Sequence, residues 1–409
     1  MITTNKFFYY FLFWQFVIIL FIPKVYVTNL LGFNSPIKPE DILWVISSLL
    51  VLLSIKLKKN KIQLSWMLFM LVVFLSCIIH ISNLLIFLRL LFYSFPILLI
   101  HNQLKYVHEK RLINLFKVFI YFSFFYSILV FFFPLPYFHT GELDFGPVDR
   151  FTANFGNGVE AAAAILLITF ILYVKDKLNL LIYLMALVII LLTQARLVLV
   201  VYILFGLFLL FQMKNKFKLI ISGCLLLLIY ISTNDFINKS SEESRFSTIN
   251  ITLLDELTSL FKNNLKKIEY DVINSDGYCF EFNDDLSFDQ SFAMRLSKAN
   301  FVIGSVVLGN YPLGHGFGYC IGDAGDNLFI RILNDGGIPV FIALLLFLYV
   351  VTLTLKKYRL LIVFFIITSL FYDTFYFSRV APLFFLLIYF CYHQSNFKQF
   401  KGVPRISIL

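Results

Sequence analysis

Long apolar runs recur along nearly the whole chain, and the charged residues are confined to short clusters between them. About 20 apolar residues are what one helix needs to cross the hydrocarbon of a bilayer. The runs at 7–23, 41–55, 62–80, 84–100, 112–133, 159–174, 178–193, 197–213, 217–233, 338–355, 359–374 and 380–394 therefore predict twelve membrane helices, some of them tilted. The 409 residues are 60% hydrophobic and 14% charged, where a soluble domain carries roughly 25% charged residues. That balance excludes a soluble enzyme. The fold class expected is an all-α integral membrane protein, a single polytopic domain over 1–409. The 51 Phe and 22 Tyr suit lipid-facing and interfacial rings.

The net charge of +10 says less than its placement. Clusters at Lys56/Lys58/Lys59/Lys61, Lys105/Lys110/Arg111 with Lys117, Lys175/Lys177, Lys214/Lys216/Lys218, Lys356/Lys357/Arg359 and Lys398/Lys401/Arg405 fall at every second connection, and Lys6 precedes the first run. Cytoplasmic connections carry such an excess, so both termini are expected in the cytoplasm and the chain in a plasma membrane. Phe7 to Ile22 is long for the apolar part of a signal peptide, and no small-residue cleavage site precedes Pro23. It is expected to stay as the first helix. The cytoplasmic connections carry no nucleotide-phosphate loop, dinucleotide fingerprint or kinase signature, so no cofactor and no nucleic-acid partner is expected. Any chemistry faces outward.

Two outward segments stand out by length, 134–158 and 234–337. In the second, Ile251, Leu254, Leu257, Leu260, Phe261, Leu265 and Ile268 recur at helical spacing and predict an amphipathic helix on the membrane surface. An acidic stretch, 271–289, follows. Ser287 with Gln290 then has the form of a capping box opening a second helix through Arg295 to Leu308. Cys279 and Cys320 both lie in this outward segment, where a disulfide would persist, but spacing alone does not pair them. Asp323/Asp326 and Asp284/Asp285 lack His or Cys partners at ligand spacing, so metal independence is expected.

Arginine inside or at the lip of an apolar helix is costly and tends to be functional, which singles out Arg89, Arg196, Arg331 and Arg379. Arg89, five residues into its run, is expected to snorkel to the interface. Arg196 closes the tight outward turn Thr193-Gln194-Ala195-Arg196, where a guanidinium can hold phosphate oxygens bidentately or anchor the interface. Arg150 precedes the glycine-punctuated turn Phe155-Gly156-Asn157-Gly158 and has Asp149 or Glu142 as an alternative ion-pair partner. Arg295 by itself reads as a solvated helix charge. Tyr311-Pro312-Leu313-Gly314-His315-Gly316-Phe317-Gly318 holds three alternating glycines, which let a backbone approach a ligand closely. His315 is the one histidine of the large loop, a base or a bystander. The stretch from Asp326-Asn327 through Arg331 to Gly336-Gly337-Ile338-Pro339 predicts a re-entrant or interfacial helix leading into the tenth span. There Asp326 either caps the helix N-terminus or acts on a substrate hydroxyl.

Taken in order, these pieces resemble the O-antigen polymerase and O-antigen ligase superfamily, integral glycosyltransferases of the GT-C type. Arg150 to Gly158 looks like that family's Arg-x-x-Gly/Ala-x-Phe-x-Asn element, and Thr193 to Arg196 looks like its Ser-Arg turn. Arg295 with Gly314-x-Gly316-x-Gly318 looks like its Arg-helix-then-glycine element. Asp326-Asn327 ahead of Gly336-Gly337-Ile338 looks like its His/Asp-Asn element. The resemblance covers 150–345 by motif and the rest by hydropathy. It implies transfer of a glycan from undecaprenyl diphosphate at the outer face of the membrane. Arg196 and Arg295 would hold the diphosphate with help from Arg150, Asp326 would act as base, and His315, Gly316, Gly318, Asn327 and Arg331 would contact substrate. Ligases carry His where this chain has Asp326, so the resemblance favours a capsular or O-antigen polymerase whose acceptor is another lipid-linked repeat unit. The acidic stretch 271–289 is open to contact with an amino-sugar or a chain-length regulator, or is a solvated loop. The rivals are a ligase passing finished polymer to a lipid or protein acceptor, and a flippase for lipid-linked oligosaccharide. The flippase reading is disfavoured by the long outward loop.

Overall fold

The run Gly158–Val174 has no polar face, and it forms a helix with almost every side chain buried, Val159 and Tyr173 being the exceptions. A helix apolar on all sides belongs in the middle of a bundle. Ala161 to Ala164 give it a thin first half, which lets neighbouring backbones come close. The computed structural model describes residues 2–22, 60–80, 84–98, 100, 106–132, 155, 158–193, 195–212, 295, 298–316, 327–372, 374–377 and 379–400. Every regular element among them is helical. In chain order these are α1 (Ile2–Phe21), α2 (Lys61–Ile79), α3 (Leu84–Tyr93), α4 (Phe95–Leu98), α5 (Tyr106–Phe132), α6 (Gly158–Val174), α7 (Leu180–Leu192) and α8 (Arg196–Gln212), then a π-turn at Ile303–Val307, α9 (Leu328–Thr354), α10 (Arg359–Ser369) and α11 (Ala381–Phe400).

Three of these helices are long and apolar enough to cross a membrane: α2, α5 over His108–Leu129, and α9. Most bounds match the apolar runs within a few residues, with two instructive differences. The run 84–100 is broken at Ser94 because Pro96 has no N–H to continue the ladder. Gln63 of α2 then takes up the carbonyls of Ile97 and Leu98 through its side-chain amide, at 3.2 and 3.1 Å. The helix containing the run 338–355 begins earlier, at Leu328, and is broken at Gly337. The expected spans 41–55 and 217–233, the surface helix 251–268, the acidic stretch with its Ser287/Gln290 cap, and Cys279 and Cys320 lie outside the described residues.

The described elements fall into two compact units. The first holds α1, α2 to Phe74, α3 to α7, α8 to Tyr202, α9 from Ala343, α10 and α11. In it α6 packs against α7 and α11, α5 against α7 and α1, and α11 against α4. Aromatic rings fill the gaps. Trp66 lies edge-on to Phe347 and Phe385 at 5.0 and 4.8 Å, and Phe365 stacks on Phe384 at 3.9 Å. At one end of α6, Lys175 pairs with Glu109 at 2.6 Å and lies over the Phe390 ring. The second unit holds the end of α2, α8 from Ile203, the described residues 295–316 and α9 to Ile342. Its core is Phe301, Val302, Val306 and Leu333, with Ile330, Ile338 and Phe341 against them.

Candidate functional site

Within the second unit the site is built around the break in α9. Asn334 and Asp335 stand at the end of the half-helix that starts at Leu328, and their carbonyls look for amides four residues on. Pro339 has no N–H for Asp335, and Ile338 gives its N–H to Pro312 instead, at 2.9 Å. The loop 311–316 repairs both losses. His315 N–H donates to the Asn334 carbonyl at 2.7 Å and Gly316 N–H to the Asp335 carbonyl at 3.0 Å. This close seating requires two glycines in the left-handed region, Gly337 at φ 68° and Gly314 at φ 82°. A Cβ on Gly314 would sit 2.5 Å from the Gly337 nitrogen and 2.7 Å from the Asn334 oxygen. The close backbone approach that these residues permit is thus made to the chain's own helix.

The other end of the half-helix is capped. Asn327 Oδ1 accepts the N–H groups of Phe329 and Ile330 at 2.9 and 3.2 Å, the pattern of an N-cap. On the half-helix, Arg331 Nε faces Asp335 Oδ2 at 3.8 Å, and Asn334 Nδ2 donates to Asp335 Oδ1 at 3.0 Å. Asn334 and Asp335 are buried, while the Arg331 side chain keeps 19% of its surface open.

His315 is set between the rings of Phe301 and Tyr311, at 5.8 and 4.9 Å between centroids. Its Nε2 lies 3.0 Å from Ser305 Oγ, and that hydroxyl donates to the Phe301 carbonyl at 2.8 Å. Ser305 Oγ thus lies within hydrogen-bond reach of both the Phe301 carbonyl and the His315 ring nitrogen. Burial, and secondarily the nearby His80, pull the His315 pKa down to about 4, so the ring is neutral at ordinary pH. His80 itself donates from Nε2 to the Leu313 carbonyl at 2.9 Å and ties the end of α2 to the same loop.

In the first unit, Arg196 opens α8 after the short turn that follows Leu192, and it is half-buried. The two helices of this hairpin are clasped by tyrosines. Tyr183 and Tyr202 stack at 4.8 Å, and each donates its hydroxyl to the other's main-chain carbonyl, at 3.3 and 3.0 Å. Thr169 of α6 also reaches the Tyr202 hydroxyl. A second charged locus lies at the start of α6. Glu160 and Arg379 are both buried, Arg379 N–H donates to Glu160 Oε1 at 3.3 Å, and the guanidinium lies 5.2 Å from the centre of the Phe155 ring.

Of the residues singled out in the sequence, His315, Gly316, Asn327 and Arg331 are brought together in the second unit, where Arg295 is helical and half-buried. Arg196 belongs to the first unit, as does Arg89, half-buried on α3. Arg150, Gly318 and Asp326 lie outside the described residues. The sequence left four participants without a role: Glu160, Ser305, Asn334 and Asp335. Asp335 had a signal, a carboxylate immediately ahead of a Gly-Gly-x-Pro helix break. Glu160 had one too, the single acid in an otherwise apolar run. Among the described residues, no group of three or more His, Cys, Asp or Glu is arranged to hold a metal ion. No protein-family model matches this chain, and no curated protein matches it.

Proposed function

We propose that this chain is a polysaccharide polymerase of the O-antigen or capsular kind. In this reading it is a twelve-span GT-C-like glycosyltransferase of a bacterial plasma membrane, with both termini cytoplasmic. It transfers a growing glycan from undecaprenyl diphosphate to the sugar end of another lipid-linked repeat unit. The observation that carries the reading is the broken helix α9. It is long and apolar enough to cross a membrane, yet it is interrupted at Gly337, and an arginine and a buried carboxylate stand just before the break. Irregular backbone beside an apolar span is tolerated where it is buried in protein or lines a polar cavity, and broken helices recur where membrane proteins bind polar ligands.

The reaction asks for what these residues offer. An acceptor hydroxyl attacks the anomeric carbon, the carbon–oxygen bond to the diphosphate breaks, and its electron pair leaves with undecaprenyl diphosphate. The hydroxyl proton goes to a base within hydrogen-bond reach, the part assigned to Asp326. Negative charge accumulates on the leaving diphosphate, and preorganised arginines stabilise it there, the part assigned to Arg196 and Arg295 with Arg150. Arg331, Asn327, His315, Gly316 and Gly318 would line the substrate path. His315 fits the role of a neutral hydrogen-bonding ring better than that of a base, since its basicity is low.

The test is reconstitution. Purified protein in lipid nanodiscs, given lipid-linked oligosaccharide from a host lacking this gene, should lengthen the lipid-linked chains and release undecaprenyl diphosphate. Oligosaccharide left unchanged under conditions where the protein stays folded would overturn the proposal.

A further inference from the structure

We propose that the basic end of the first unit, where α5 begins, α6 ends and α9 turns into α10, is a binding surface for anionic phospholipid headgroups. The proposal does not depend on the polymerase reading. It requires only that the apolar helices lie in a membrane, and α5 and α9 are two of the three long and apolar enough to cross one. Contacts within the unit bring three connections together. Lys175, just after α6, pairs with Glu109 in the first turn of α5 and lies over the Phe390 ring of α11. In the turn between α9 and α10, Lys357 Nζ donates to the Tyr358 hydroxyl at 3.0 Å and lies over that ring at 4.8 Å from its centre. The buried Tyr358 is within electrostatic reach of Asp176 and Cys391, and Cys391 is within reach of Lys175 and Lys357. The start of α5, the turn after α6 and the α9–α10 turn therefore meet around one stretch of α11.

What this end presents outward is almost all of one sign. Lys110, Arg111, Lys177, Lys356, Lys357 and Arg359 are exposed. Of the two carboxylates in these connections, Glu109 is taken up by Lys175, and Asp176 is the exposed one. Like charges gathered from separate connections repel one another, so the arrangement costs stability unless an anion is supplied. Beside each group of cations an exposed apolar side chain lies on the helix side. Val118 comes two turns after Arg111 on the same face of α5, Leu181 four residues after Lys177, and Leu353 three residues before Lys356. A ligand that fits this surface is negative at one end and hydrocarbon at the other. An anionic diacyl phospholipid is both, with its phosphate at the level where the apolar surface stops. A soluble acidic protein would meet the cations and leave the apolar rim uncovered.

The experiment measures lipid retention by native mass spectrometry, and melting temperature, for the full-length protein in detergent with phosphatidylglycerol or phosphatidylcholine of the same acyl chains added. Phosphatidylglycerol is expected to bind about tenfold more tightly or better, an advantage that shrinks as salt is raised. The triple variant K356Q/K357Q/R359Q should lose most of that advantage. Removing basic residues can reorient a membrane chain, so Asp176→Asn supplies a test in the opposite direction. It removes the exposed carboxylate, keeps a residue type that tolerates the left-handed backbone at φ 53°, and should strengthen phosphatidylglycerol binding severalfold. Where the triple variant does not fold, Asp176→Asn decides. Equal affinity for the two lipids, or a preference indifferent to salt and to the variants, overturns the proposal. So does stabilisation by inorganic phosphate or glycerol phosphate as large as that by the lipid, which would show an anion site without the hydrocarbon part. Binding of polyglutamate with no preference for phosphatidylglycerol overturns it too, in favour of an acidic protein segment.

Discussion

The carbonyl of Asp335 accepts the main-chain N–H of Gly316 at 3.0 Å, in the place where Pro339 has no hydrogen to give. A helix break is thus repaired by a loop some twenty residues earlier in the chain, and the repair depends on glycine. A Cβ at Gly337 would overlap the Leu313 carbonyl carbon, the Gly314 nitrogen and the Pro312 oxygen, on a backbone already at φ 68°. Gly337→Ala should therefore cost at least about 2 kcal/mol and loosen the 311–316 loop. Thermal unfolding and limited proteolysis read both effects; an unchanged melting temperature contradicts this account of the break.

The tyrosine clasp makes a milder prediction. Tyr202→Phe removes the hydroxyl that reaches the Tyr183 carbonyl at 3.0 Å and keeps the stacked ring. Hydrogen bonds between membrane helices contribute about 0.5–1.5 kcal/mol, so the variant should melt slightly lower and still fold. If the clasp acts as a unit, adding Tyr183→Phe should cost less than the sum of the single effects, as denaturant titration would show.

At the start of α6, Glu160→Ala removes the acceptor of the Arg379 main-chain N–H and a buried carboxylate. Leaving a buried donor unpaired costs about 1–3 kcal/mol, so the Ala variant should accumulate less well than wild type. Glu160→Gln keeps an acceptor oxygen and should lie between it and wild type. Equal yields and melting temperatures for all three proteins would remove Glu160 from the list of structural determinants.

His315 predicts the direction of a pH effect. Its pKa is held at about 4, below the usual value of about 6.5. Between those values the unfolded chain binds the proton and the folded chain does not, so the contribution of this residue is complete above about pH 6.5 and is lost as pH falls toward 4. Melting temperature against pH should therefore slope more steeply across that window for wild type than for His315→Gln. Identical slopes would show that the ring is not held neutral by its surroundings.

Much of the described helical layout was legible because each helix is written locally, as an apolar run bounded by charged clusters. The break in α9 was half legible. Gly336-Gly337-Ile338-Pro339 announces that a helix must be interrupted, but nothing local says that Pro312, His315 and Gly316 supply the missing partners. His80 reaches Leu313 across more than two hundred residues, and Arg379 reaches Glu160 across a similar span. Such pairings are decided by packing, and a reading based on spacing has no access to them. The cap at the start of α9 shows the finer limit. Asn327 is a good cap by residue type, and its amide oxygen takes the Phe329 and Ile330 N–H groups, a role that spacing alone did not assign to it.

The central claim is tested most directly in the host. The gene is deleted, and surface and lipid-linked glycans are run on a gel beside strains complemented with wild type, Arg196→Ala or Arg331→Ala. Single repeat units on the usual anchor are predicted for the deletion, with the polymer ladder restored by wild type and lost or sharply reduced in both variants at normal protein level. A full ladder without the gene would contradict the account. Long chains left on the undecaprenyl carrier would instead mean a ligase, and single units trapped inside the cell would mean a flippase.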